Sequence, residues 1–133
     1  MRYARALRPL ALAGIAIGLL TTIAETDLWG HVRFGLDILR DGFVSGPDPY
    51  SFTQGRPWIN HEWLSEVVTA VAYQVAGPAG LGLLKAALGA LLFALIWHAL
   101  RHKTFAWRWG GIAVAAWVSL PLLTTLRPQL WTA

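Results

Sequence analysis

The chain has 133 residues, of which 56% are hydrophobic and 14% are charged, and its mean hydropathy is +0.48. Soluble domains carry roughly 25% charged residues, so this composition excludes an ordinary soluble protein and predicts an integral membrane protein. The net charge of +4 comes from basic residues beside apolar segments, which predicts no nucleic-acid partner, and the absence of cysteine excludes disulfides and thiolate metal sites.

The first predicted membrane span covers residues 8–24 and follows the basic residues Arg2 and Arg5. Its apolar run is shorter than the roughly 20 residues that cross a bilayer upright, and local thinning of the bilayer can absorb the mismatch. A secretory signal peptide is the alternative, because residues 22–24 resemble a cleavage site. Both interpretations place residue 25 onward outside the cytoplasm.

Residues 25–79 are predicted to form an external loop, and all seven acidic residues of the chain lie in it. Helical spacing predicts a first amphipathic surface helix over residues 28–40, with Arg33 and Asp37 close enough to pair. Gly42 supplies the stop, because glycine readily takes the left-handed conformation. The apolar face of this helix consists of Leu28, Val32, Gly35, Leu36 and Leu39.

A second surface helix is predicted over residues 61–75, with Asn60 as its N-cap and a break at Gly77–Pro78. Its two faces differ in polarity. The apolar face consists of Leu64, Val67, Val68, Val71 and Val75. The opposite polar stripe consists of Glu62, Glu66, Thr69 and Tyr73.

Two further spans are predicted over residues 80–100 and 110–126, separated by a basic turn. Lys85, near the outer end of the first of these, is expected to extend its ammonium group toward the interface. The positive-inside rule places the N-terminus in the cytoplasm and the loop 25–79 outside it. The prediction is thus an all-α, multi-pass protein of the cytoplasmic membrane, a single membrane domain over residues 1–133 with about three transmembrane helices and two amphipathic surface helices.

The candidate chemistry begins with Glu25 and Asp27, two carboxylates just after the first span. Such a pair could bind a divalent cation, Mg²⁺ or Mn²⁺, or share acid–base work. The alternative is that Asp27 only caps the helix that begins at Leu28 and that Glu25 is a solvated interfacial charge.

A second group of candidates could line the same cavity as substrate-binding residues. His31 lies one helical turn after Asp27, and His61 and Glu62 form another donor pair. Imidazole and carboxylate groups together could also bind a metal. Arg127 could contact a phosphate. The alternative is that both histidines hydrogen-bond in the headgroup region and that Arg127 is an interfacial anchor.

Four motifs in the sequence resemble those of a known family. Residues 27–31 read DLWGH, 48–53 read DPYSFT, 60–66 read NHEWLSE and 127–130 read RPQL. Together with an acidic pair after the first span, this pattern resembles the N-terminal part of GT-C membrane glycosyltransferases, the protein-mannosyltransferase-like and aminoarabinose-transferase-like enzymes. The resemblance covers nearly the whole chain.

The resemblance implies sugar transfer, with inversion, from a polyprenyl-phosphate donor to an acceptor outside the cytoplasm. It implies that Asp27 is the base on the acceptor hydroxyl or a metal ligand, with Glu25 in support. Because GT-C enzymes have more spans, it also implies that this chain is the front part of a longer protein or a remnant, inactive by itself. The competing hypothesis is a small non-enzymatic scaffold that contacts other membrane subunits through its apolar faces.

Overall fold

The computed structural model describes residues 2–21, 26–42, 46–47 and 57–124, and almost all of them are helical. The helices are α1 (Arg2–Leu20), α2 (Thr26–Asp41), α3 (Trp63–Ala99) and α4 (Phe105–Thr124). A two-residue ladder pairs β1 (Gly46–Pro47) antiparallel with β2 (Pro57–Trp58), within the stretch that was predicted as loop. The predicted all-α class is confirmed for the described residues.

α3 contains the predicted break, although no turn separates its two parts. Ala76 and Gly77 leave the helical conformation, and Gly77 takes a positive φ of 57°. Pro78 then restarts the helix, which suits a residue with a fixed φ and no N–H to donate. The N-terminal segment of α3 (63–75) therefore corresponds to the predicted second surface helix, and its C-terminal segment (78–99) to the predicted second span.

One helix of the described residues, α3, is long and apolar enough to cross a membrane, by length and composition. The segment Arg8–Leu19 of α1 is apolar but shorter. The fold is thus compatible with membrane association through α3. The spans predicted at residues 8–24 and 110–126 stay predictions.

The helices pack mainly in two pairs, α2 against α3 and α1 against α4, with smaller contacts of α3 with α1 and α4. Gly35 allows the close approach of α2, because a Cβ atom there would overlap the backbone carbonyl of Glu66. One apolar core joins both pairs. It consists of Ala11, Leu28, Val32, Leu81, Phe93, Trp109, Ile112 and Ala116.

The N-terminal segment of α3 is oriented opposite to its apparent amphipathic pattern. Glu66 and Thr69 of the polar stripe are buried, whereas Leu64 and Val75 of the apolar face are 57% and 80% exposed. Glu66 is stable in this buried position because His31 of α2 and the Asn60 side chain satisfy its carboxylate, while Thr69 donates to the Ser65 carbonyl of its own helix. The first surface helix differs as well, since Leu28, expected as a partner contact, is buried in the chain's own core.

Lys85 does not extend toward the interface as expected. It is fully buried, and its Nζ donates to the backbone carbonyls of Thr21 and Gly18, the latter at 3.4 Å. α1 ends at Leu20, so its last carbonyls have no donor within the helix. A cation is also favoured at this end of a helix by the helix dipole. The C-terminal end of α1 therefore replaces water as the partner of Lys85.

The two ends of the molecule differ in the charged residues that they hold. The guanidinium of Arg8 lies over Trp109, which places the start of α1 beside the start of α4. Lys85 marks the opposite end, where α1 stops and the C-terminal segment of α3 begins. We call the end at Arg8 the basic end. The acidic residues of α2 and of the start of α3 belong to the other end, which we call the acidic end.

Candidate functional site

A buried carboxylate, Glu66, is the centre of a polar cluster between α2 and α3. Glu66 lies in the first turn of α3 and is 2% exposed. His31 Nδ1, from α2, lies 3.2 Å from Glu66 Oε1, and the Asn60 side-chain amide donates to Glu66 Oε2. Because an ionised carboxylate only accepts, Nδ1 of His31 carries the proton in this contact. Both oxygens of the buried carboxylate are therefore satisfied.

Asn60 connects this carboxylate to the start of α3. Its Oδ1 accepts the backbone N–H of Glu62 at 2.9 Å while its Nδ2 donates to Glu66. The sequence predicts Asn60 as the N-cap residue. The helix begins at Trp63 and its N-cap is Glu62, so Asn60 lies two positions before the cap. Its side chain still satisfies one backbone donor at the helix entry, which is what a capping side chain does.

Glu62 completes the cluster on its more exposed side. Its Oε2 lies 3.8 Å from His31 Nδ1, and its side chain is 34% exposed. We call His31, Asn60, Glu62 and Glu66 the His–Glu cluster. The cluster holds two carboxylates and one imidazole, so its net charge is negative, and protonation of His31 makes it less negative.

The electrostatics of the cluster favour the protonated imidazole. The pKa of His31 is raised above its ordinary value of 6.5, first by the hydrogen bond to Glu66 and then by the charges of Glu66, Glu62 and Asp27, while burial acts in the opposite direction. The ring is thus an imidazolium over a wider range of pH than a free histidine. It links α2 to α3 by a charge-assisted hydrogen bond in that state.

The same residues include the donor set that could hold a divalent cation. One ligand atom each from His31, Glu62 and Glu66 lies within 4.8 Å of the others. An imidazole with two carboxylates suits Zn²⁺ or Mn²⁺ better than Mg²⁺, which prefers oxygen ligands. A cation would have to displace the hydrogen bond between His31 and Glu66. The cluster is complete without one, and the Mg²⁺ or Mn²⁺ expected at Glu25 and Asp27 stays a prediction.

Asp27 lies one helical turn before His31, on the exposed side of α2. The helix begins at Thr26, so Asp27 lies in its first turn rather than immediately before it. A carboxylate in the first turn is favoured by the helix dipole. Asp27 is close enough to raise the pKa of His31, and as an exposed carboxylate it could accept a proton from a bound hydroxyl.

Of the remaining predicted site residues, His61 does not join this cluster. His61 is exposed, and its Nδ1 lies 3.4 Å from the backbone carbonyl of Ile59. Glu25 and Arg127 lie outside the described residues. Their predicted roles stay predictions.

Sequence reasoning missed Glu66 and Asn60 as site residues. Glu66 was placed in the polar stripe of a surface helix, and Asn60 was assigned only to capping. One signal was available in the sequence: Asn60 and Glu66 are six residues apart on either side of the start of a helix, which is close enough for their side chains to meet. What the sequence lacked was the position of His31, which lies 35 residues before Glu66.

Comparisons with models of known protein families, with curated proteins and with solved structures found no match for this chain. The resemblance to GT-C glycosyltransferases therefore depends on the sequence motifs alone. The geometry of the polar cluster bears on function independently of that resemblance.

Proposed function

We propose that this chain is the N-terminal part of a membrane glycosyltransferase of the GT-C type. It transfers a sugar from a polyprenyl-phosphate donor to an acceptor outside the cytoplasm. The observation that supports the proposal is an exposed carboxylate, Asp27, one turn from a buried network that fixes α2 on α3. A base on a surface helix needs such a fixed support, because acid–base catalysis depends on the distance to the reacting group.

In this proposal α1, the C-terminal segment of α3 and α4 cross the membrane. α2 and the N-terminal segment of α3 lie at its outer surface, half-inserted. The exposure of Leu64 and Val75 beside a buried polar stripe supports this arrangement. Apolar side chains that face outward are stable where lipid surrounds them.

Asp27 accepts the proton of the acceptor hydroxyl while the oxygen of that hydroxyl attacks the anomeric carbon of the sugar. The bond from that carbon to the phosphate oxygen breaks, polyprenyl phosphate leaves, and the configuration inverts. Glu66 positions α2 through its hydrogen bond with His31, and the more exposed side chains of His31 and Glu62 face the sugar in this proposal. Arg127 is proposed to contact the donor phosphate, and Glu25 to support Asp27.

The test is the substitution Asp27→Asn in the full-length protein. Removal of a general base typically lowers turnover by about 100-fold or more. The assay measures release of polyprenyl phosphate from donors that carry mannose or aminoarabinose. Asp41→Asn is the matched control, because Asp41 ends the same helix and pairs with Arg40 at its surface. Unchanged turnover of Asp27→Asn, with the control active, would contradict the base assignment.

A non-enzymatic scaffold subunit is the second candidate. The outward apolar side chains of the N-terminal α3 segment favour it, because a partner helix could cover them as well as lipid could. The two candidates differ in a proteolysis experiment. Lipid-linked sugar should protect the loop 25–79 if the chain belongs to a transferase. A stable heteromeric complex without such protection supports the scaffold.

A further inference from the structure

The basic end of the molecule contains two arginines stacked on two tryptophans. The Cζ atom of Arg108 lies 3.7 Å from the centroid of the Trp97 ring, and that of Arg8 lies 5.7 Å from the Trp109 ring. The two indoles contact each other edge to face, with centroids 5.3 Å apart. We call Arg8, Trp97, Arg108 and Trp109 the Arg–Trp cluster. It draws its members from α1, α3 and α4.

This cluster holds hydrogen-bond donors that lack acceptors. Arg108 Nε and Trp109 Nε1 are buried and have no partner among the described residues. The ion pairs that the described carboxylates make lie within α2 or join α2 to Glu62 and Glu66, away from Arg8 and Arg108. Leaving a buried N–H without an acceptor costs free energy. An acceptor from outside the described chain would complete the cluster.

An apolar groove of about 430 Å³ lies between α1 and α4. Its walls include small residues, Ala11 and Gly14 on α1 and Ala113 and Ala116 on α4. Trp117, which also lines it, is 80% exposed. The groove is therefore shallow, apolar and open to whatever surrounds the helices.

The groove runs up to the Arg–Trp cluster. Ala11 follows Arg8 by three residues on α1, and Ala113 follows Trp109 by four residues on α4. Residues at these separations share a helix face and are neighbours along it. An elongated ligand could thus place an apolar part in the groove and an anionic part at the guanidinium groups.

We infer that the basic end binds one anionic phospholipid, with its phosphate at Arg8 and Arg108 and an acyl chain between α1 and α4. Charge complementarity selects this occupant, because guanidinium groups match phosphate oxygens in geometry as well as in charge. In the orientation that the positive-inside rule predicts, this end faces the cytoplasmic leaflet, where anionic lipids attract juxtamembrane basic residues. The inference does not rest on sugar transfer, since the site is at the end of the molecule opposite to Asp27.

The experiment presents the detergent-purified protein with equal amounts of phosphatidylglycerol and phosphatidylcholine and counts bound lipids by native mass spectrometry. Phosphatidylglycerol should be retained about tenfold over phosphatidylcholine. The double substitution Arg8→Gln/Arg108→Gln should remove this preference. The double substitution Arg101→Gln/Lys103→Gln is the control, because it removes the same amount of charge outside the Arg–Trp cluster. This variant should keep most of the preference for phosphatidylglycerol.

Two further measurements separate the site from general charge attraction. Gly14→Leu fills the groove, where a Cβ at Gly14 meets nothing within 4 Å, and should reduce retention of phosphatidylglycerol while leaving the helical content unchanged. Glycerol phosphate, which has no acyl chain, should not displace the bound lipid. Equal loss of preference in both double variants, or displacement by glycerol phosphate, would overturn the inference.

Discussion

The acidic and basic ends of the molecule differ in whether their charged side chains find hydrogen-bonding partners within the chain. At the acidic end, the buried Glu66 carboxylate has both oxygens satisfied by groups of the chain itself. At the basic end, Arg8 and Arg108 lie on indole rings, and the Nε–H of Arg108 has no acceptor among the described residues. The acceptors and donors at one end come from the chain itself, whereas a buried donor at the other end has no acceptor among the described residues.

Charged side chains at the acidic end stabilise the packing of two helices, whereas those at the basic end suit the recognition of a ligand. Burying an ion stabilises a fold only when its partners are also held in place, which Asn60 and His31 provide for Glu66. Guanidinium groups on aromatic faces gain attraction without using up their hydrogen-bond donors. The acidic end therefore fixes one helix on another. The basic end has two buried donors, Arg108 Nε and Trp109 Nε1, that have no acceptor among the described residues.

The largest expected effect is that of breaking the acidic end. Glu66→Ala leaves the buried Asn60 amide and the His31 imidazolium without their acceptor, and should lower the free energy of unfolding by about 3 kcal/mol. Denaturant unfolding in detergent, followed by helical circular dichroism, measures this. Glu62→Ala is the matched control, because that side chain is half-exposed, and it should change stability by less than about 1 kcal/mol. Equal stabilities of both variants would show that the His–Glu cluster does not hold α2 to α3.

A somewhat smaller effect is expected from the helix contact that brings the cluster together. Gly35→Ala places a methyl group against the Glu66 carbonyl, which is backbone and cannot move aside. Overpacking of this kind should cost about 2 kcal/mol. Gly30→Ala on the same helix meets nothing within 4 Å and should be neutral or slightly stabilising. The pair is measured by the same unfolding experiment, and a neutral Gly35→Ala would contradict the close approach.

A still smaller effect is expected from pH. The pKa of His31 is raised in the fold above its ordinary value of 6.5, so the stabilisation from protonated His31 is fully present below pH 6.5. It is lost as pH rises through the raised pKa of the folded state. The thermal midpoint of the wild type should fall over that window relative to His31→Gln, which has no imidazole. Parallel curves for both proteins would contradict the ion pair with Glu66.

The smallest effect on stability is expected at the basic end. Arg108→Met keeps an apolar stem on Trp97 and removes the unpartnered Nε–H, so in lipid-free detergent stability should change by less than about 1 kcal/mol. Arg108→Ala, which also removes the stem, should cost more. A loss from Arg108→Met as large as that from Glu66→Ala would show that the basic end is also a closed network. The distinction between the two ends would then fail.

Local features of the fold were predictable from sequence because they depend on near neighbours. A helix is predicted over residues 28–40, and the structure has one at Thr26–Asp41 that Gly42 follows with a φ of 84°. Its place at a membrane surface stays a prediction. The pair of Arg33 and Asp37 is confirmed at 3.2 Å. The break at Gly77 is confirmed too, because Ala76 and Gly77 leave the helical conformation directly before Pro78, whose ring disfavours a helical residue ahead of it.

The environment of the polar residues was not predictable in the same way. A stripe such as Glu66 and Thr69 looks solvent-facing on a helical projection. Only a second helix that carries His31 and the bare backbone of Gly35 makes its burial favourable. The same holds for Lys85, whose partners belong to a helix more than 60 residues earlier. Such contacts are non-local, and periodicity contains no information about them.

The contact of Lys85 with the end of α1 has a consequence for the assembly of the helices. An ammonium group that is buried without acceptors costs free energy, and in the folded chain the carbonyls of Gly18 and Thr21 accept from Lys85. Lys85 lies 64 residues after Thr21, so this contact can form only after both segments have been synthesised. The same contact sets the position of α3 along α1, because the lysine is satisfied only where it meets the end of that helix.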